Sequence, residues 1–149
     1  MTAAVAIKRD DFPLPDTDDP LTAPFFAGAA RGELMIPRCD TCGEYVWYPQ
    51  GACPRDSGSL TWTAMSGRGT LFTWAVVRRA FLPAFEDRVP FVSALVALDE
   101  DPGIRLCTYV VDVDAADLVA DEPVVATFRP LEFTTVAGKS VIVPMFAPA

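Results

Sequence analysis

The chain has 149 residues, 51% of them hydrophobic, with 12 lysines and arginines against 20 acidic residues and a formal net charge of −8. That is apolar matter enough for one compact unit and excludes wholesale disorder. The acidic balance argues against a general nucleic-acid binder, which needs a basic face to neutralise phosphates.

Histidine is absent. Its loss removes the commonest general acid or base and every Ser–His or Cys–His nucleophile pairing. The expectation is a protein that is not an enzyme by itself, with no residue assigned to catalysis.

The opening "MTAAVAIKRDDFPLPDTDDP" has only a short apolar run, then Lys8-Arg9 and five aspartates by Asp19. It does not resemble a secretion signal, and no window approaches the roughly 20 apolar residues that span a bilayer. A cytoplasmic chain without a membrane partner is expected, with residues 1–19 as an extended arm. "DPLTAPFFAGAARGEL" then predicts a helix, with Pro20 in its first turn and Gly32 ending it in a left-handed conformation. Phe25, Phe26 and Ala29 share its apolar face, which docks on this chain's own core or on a partner.

"ELMIPRCDTCGEYVWYPQGACPRDSGSLTWTAM" places cysteines on two tight turns between short β segments. In "GRGTLFTWAVVRRAFL", Leu71, Thr73 and Ala75 alternate with Phe72, Trp74 and Val76, a β period. The "GRG" at 67–69 lacks a following helix for phosphate and reads as the turn into this strand. "VPFVSALVALDEDPGIRLCTYVVDVD" predicts two strands reversing between Asp99 and Gly103. Asp114 caps one short helical turn, and "PVVATFRPLEF" and "KSVIVPMFAP" supply two last strands. Five strands with a small helix after the third is the order of an OB barrel.

The fold class is therefore mainly β, divided into an arm and helix (1–33), a ribbon (34–65) and a five-stranded barrel (66–149). The aromatics Tyr45, Trp47, Tyr48, Trp62, Phe72 and Trp74 suit packing between ribbon and barrel better than base stacking. Two apolar segments stand out as grips for a partner: the Phe25-Phe26 helix, and Phe81, Leu82 and Phe85 in the loop after the first barrel strand.

The chemistry-bearing constellation is Cys39-x₂-Cys42, ten residues, then Cys53-x₂-Asp56. A structural zinc takes four tetrahedral ligands, two from each of two facing knuckles, and a carboxylate is an accepted ligand. Gly43 follows the first knuckle and Pro54 lies inside the second. The metal site is thus Cys39, Cys42, Cys53 and Asp56, a ribbon with one hard ligand or one that has lost its metal. A redox C-x-x-C sits at a helix N-terminus, and no helix is predicted after Cys42. Cys107 falls inside a predicted strand and reads as a small core residue.

The pieces "PFFAGAARGELMIPRCDTCGEYVWYP", "CPRD", "SGRGTLFTWAVV", "VPFVSALVALDEDPGIRL", "VDVDAADL" and "VPMFAP" run in one order from about residue 20 to the C-terminus. In them the chain resembles the OB-fold, acyl-CoA-associated proteins with an N-terminal rubredoxin-like zinc ribbon. That family typically has a fourth cysteine where this chain has Asp56. The resemblance implies a helical arm, a zinc ribbon and an OB barrel.

It also implies a thiolase-like partner subunit (a thiolase, acyltransferase or steroid side-chain aldolase) that carries the catalysis. The small chain then stabilises the partner and shapes its acyl-CoA channel, with steroid or lipid side-chain degradation as the implied setting. A stand-alone acyl-CoA carrier or sensor is the alternative, ahead of a single-stranded nucleic-acid binder.

Overall fold

The computed structural model describes residues 10–149; the first half of the expected arm lies outside them. Its described part is not loose. Leu14 is 2% exposed and packs with Ala84, Leu131 and Phe133 in a small cluster on the outside of the barrel.

Helix α1 spans Ala23–Ala30. It starts later than the sequence suggests: Pro24 holds the first turn, and Pro20 lies in the turn before it. Gly32 stops it at φ 77°, a conformation without cost to glycine. Two strands form the ribbon sheet, β1 (Leu34–Cys39) and β2 (Leu60–Met65), paired antiparallel with Leu34 opposite Met65 and Cys39 opposite Leu60.

Five further strands are β3 (Arg68–Val77), β4 (Phe91–Leu98), β5 (Arg105–Val110), β6 (Pro123–Leu131) and β7 (Val141–Pro148). They close a barrel in the order β3-β4-β5-β7-β6. All pairings are antiparallel except β5–β7, where a single parallel pair, Val110 with Phe146, shuts the seam. The Thr108 hydroxyl adds a bond across that seam to the Pro144 carbonyl at 3.1 Å. Between β5 and β6, Asp114 Oδ1 accepts from the Ala116 N–H at 3.0 Å and caps a single 3₁₀ turn, as its sequence position suggests.

One strand departs from the expected alternation. Leu71 faces Val96 and Thr73 faces Leu95, so Phe72 is an extra, unpaired residue in β3. The bulge switches the faces of the residues beyond it. Leu71 is fully buried, Phe72 is 42% exposed, and Trp74 and Val76 rather than Thr73 and Ala75 pack inward. The guanidinium of Arg105 covers the outward Phe72 ring at 3.9 Å.

The main core joins ribbon to barrel. Leu34 and Ile36 of β1 belong to the same buried cluster as Leu71, Val96, Leu106 and Phe146. Phe25, Tyr45, Trp47 and Trp74 pack on its margin, with the Phe25 and Trp47 rings 5.2 Å apart. Phe85 is half-buried, edge-on to Phe133 at 5.4 Å and near Phe91 at 5.9 Å. Phe25 and Phe85 therefore belong to this chain's own packing, unlike Phe81, which is 85% exposed.

Phe146 sits at the seam with no exposed surface. Phe146→Ala should lower unfolding stability by about 3–5 kcal/mol, read as the shift of a urea transition at constant slope. A change below about 1 kcal/mol would mean that the seam does not depend on it.

Candidate metal centre

The four sequence-predicted residues meet at the far end of the ribbon. Cys39 is the last residue of β1, so the strand that enters the barrel core also delivers the first thiol. The chain then turns back on itself. The Cys39 N–H donates to Glu44 O at 2.8 Å and the Gly43 N–H to Cys39 O at 3.0 Å, with Gly43 at φ 76°. Arg38 Nε donates to Gly43 O at 2.8 Å and locks this knuckle from outside. The N–H groups of Thr41 and Cys42 both point at Cys39 Sγ, each at 3.4 Å.

The second knuckle repeats the turn. The Cys53 N–H donates to Gly58 O and the Ser57 N–H to Cys53 O, each at 2.9 Å. Ser57, at φ 61°, occupies the place of Gly43 in the first. A backbone bond from Asp40 N–H to Ser59 O at 2.9 Å ties the two knuckles together. The Thr61 hydroxyl adds a bond to Asp40 Oδ1 at 2.7 Å.

The three thiols and the Asp56 carboxylate thus converge, with one donor atom from each lying within 4.8 Å of the others. With zinc–sulfur about 2.3 Å and zinc–oxygen about 2.0 Å, tetrahedral ligands stand about 3.8 Å apart sulfur to sulfur and about 3.5 Å sulfur to oxygen. Cys42 Sγ and Cys53 Sγ are 3.8 Å apart, and Cys39 Sγ lies 3.4 Å from Asp56 Oδ1. The donor chemistry and the spacings fit a structural zinc.

Cys39 and Cys53 are buried whereas Cys42 and Asp56 face solvent, so the centre lies at the surface of the ribbon. Electrostatics differ among the donors. The Cys42 N–H, aided by that of Thr41, holds the Cys39 thiol below its ordinary pKa. The Glu44 N–H lowers the Cys42 thiol, but desolvation and its bonds to Cys39, Cys53 and Asp56 outweigh it and push the group up to about 11. A cation at the centre favours all the deprotonated forms at once. The Gly58 N–H, donating at 2.8 Å, keeps the Asp56 carboxylate below its ordinary range.

Gly58 is the residue that the spacing rule misses. A Cβ there would fall 2.8 Å from Asp56 Oδ1 and 2.9 Å from Cys39 Sγ. Glycine is required because the backbone passes directly beneath two ligands. Its position two residues beyond Asp56 is the only sequence trace. Cys107 also departs from expectation: it lies in β5, but on the outward face, exposed rather than in the core.

Comparison with known proteins places this architecture. The chain matches the model of the ChsH2 rubredoxin-like zinc ribbon domain over residues 26–62 and that of the ChsH2 C-terminal OB-fold domain over 62–129. A solved structure described as "Ltp2-ChsH2(DUF35) aldolase" shares 27% identity and superposes with a TM-score of 0.75 over 90% of this chain and 98% of that one. A Sulfolobus solfataricus protein of the DUF35 family, of unknown function, shares the fold at a TM-score of 0.53 and 12% identity, over 88% of this chain and 87% of that chain. No curated protein sequence matches the chain significantly.

Metal analysis of the freshly purified protein should give close to one zinc per chain. Asp56→Ala should weaken zinc retention against a chelator about tenfold or more, and Asp56→Cys should strengthen it, since thiolate suits zinc better than carboxylate. Equal retention in all three proteins would remove Asp56 from the ligand set.

Proposed function

This chain belongs to the ChsH2 family, in which a rubredoxin-like zinc ribbon precedes an OB fold, and on that premise we propose that it is the non-catalytic subunit of a thiolase-like enzyme acting on acyl-CoA thioesters. The observation that carries the reading is the 27% identity to a chain of the Ltp2–ChsH2 aldolase, over 90% of this chain and 98% of that one. An accessory place in an aldolase complex is the common ground; a thiolase or acyltransferase partner is the variation within it.

The chemistry of the chain supports the same division of labour. It has no histidine, and the three clustered cysteines are committed to the metal centre. Cys39, Cys42, Cys53 and Asp56 hold one zinc whose four places are all protein ligands, which leaves no open position for substrate. The zinc is therefore a clamp. It fixes the ribbon, and the ribbon and barrel together present a rigid surface to the partner.

In this reading the arm and helix (1–33), ribbon (34–65) and barrel (66–149) stabilise the catalytic chain and border its acyl-CoA channel, in the cytoplasm and in steroid or lipid side-chain degradation. Among the described residues no helix is long and apolar enough to cross a membrane.

Co-expression with a thiolase-fold subunit tests the proposal. The purified pair should cleave or form a carbon–carbon bond on a CoA thioester, the small chain alone should do neither, and the large chain alone should be inactive or insoluble. Full activity of the large chain alone, or any turnover by the small chain, would reject it.

A further inference from the structure

The two apolar segments that stand out in the sequence lie side by side. A hollow of 480 Å³ lies between α1 and the outer barrel face, walled by Phe26, Pro13, Pro15, Phe85 and Phe91. A second hollow of 230 Å³ shares Phe85 and Phe91 and runs on to Leu82 and Phe81. The helix and the loop after β3 therefore frame one continuous apolar strip. Phe26 lies at one end and the protruding Phe81, 85% exposed, at the other.

A small ligand in the second hollow would meet only the side of Phe81 that lines it; covering a ring 85% exposed takes another surface. Burying it would remove a large apolar ring from water. Charge defines that surface further. In a chain of net charge −8, Arg31, Arg55 and Arg129 each pair with a carboxylate of their own chain. Arg79 forms no ion pair among the described residues and instead lies 5.7 Å over the Phe81 ring, in the same hollow. A cation that no carboxylate of the chain pairs thus lies against the exposed aromatic. The acidic remainder of the chain disfavours an anionic lipid surface.

We propose that this strip, with Phe81 and Leu82 as its anchors and Arg79 at its edge, is the docking surface for the thiolase-fold subunit, which meets it with an apolar recess bordered by a carboxylate. The inference rests on the subunit reading above. Aromatic anchors in such recesses carry much of an interface's energy, and the flanking charges set orientation and encounter rate.

The test isolates the affinity-tagged full-length chain from its own host and quantifies any thiolase-fold protein bound to it by mass spectrometry. Phe81→Asp should reduce the bound subunit at least about tenfold. Arg79→Glu should reduce it less and make the remainder less sensitive to added salt. Val119→Asp, at another exposed apolar residue (61%) outside the strip, should leave it unchanged. Zinc content and unfolding midpoint, equal in all four proteins, show that the variants fold.

Undiminished capture by Phe81→Asp overturns the docking surface while leaving the subunit reading intact. Equal loss in Val119→Asp also overturns it. Wild-type chain that captures no thiolase-fold protein rejects the subunit reading and this inference together. If the isolated chain forms a homodimer, or binds phosphatidylserine–phosphatidylcholine vesicles, in a way that Phe81→Asp abolishes, the strip has a different occupant and the proposal fails.

Discussion

Strand β1 is the element on which the rest of the molecule hangs. Within six residues it buries Leu34 and Ile36 in the core shared with the barrel, then delivers Cys39 to the metal centre. The rise of a strand, about 3.3 Å per residue, makes it a stiff rod whose two ends are fixed by different forces. Hydrophobic burial holds one end and metal-ligand geometry holds the other. A ribbon of two short strands is marginal by itself in water. Here it is held in place because its inner face completes the barrel's core and its outer end is clamped.

That arrangement explains why a chain without a histidine or an open metal position can still be functionally exacting. On the subunit reading, its use lies in shape. The knuckles fold the ribbon back on itself, the barrel seam is closed through Val110 and Phe146, and the loop after β3 is held at its base by Phe85 against Phe133. Among the large apolar side chains that this scaffold presents outward, Phe81 is the most exposed, with Leu82 and Arg79 beside it. A rigid scaffold lowers the ordering cost that association otherwise carries. On the proposed reading, a non-catalytic subunit contributes chiefly in that way.

The knuckles are legible in the sequence because their constraint is local. Cys-x₂-Cys spacing, Gly43 after the first turn and Asp56 at the matching place in the second are all dictated within a few residues of backbone. The Asp99–Gly103 reversal and the Asp114 cap are readable for the same reason. The bulge at Phe72 is not, since period-two alternation reads identically until the partner strand shows which residue is extra. Cys107 reads as core because a small thiol inside a strand suits an interior place; its alternation with Leu106 and its position two residues after Arg105 put it on the outward face instead. Phe25 and Phe85 look as exposed as Phe81 in sequence. Their burial depends on Trp47 and Phe133, 22 and 48 residues away in the chain. Gly58 escapes notice because part of its constraint comes from Thr41 and Cys39 in the other knuckle, far from it in sequence.

The central claim is that this chain works as a zinc-clamped subunit of a thiolase-fold assembly. Native mass spectrometry of material isolated gently from its host tests this most directly. The account predicts a closed heteromer with this 16.1 kDa chain and a thiolase-fold chain in equal numbers, most simply two of each, carrying one zinc per copy of the small chain. A species at the mass of the small chain alone, at concentrations where subunit assemblies persist, would contradict it.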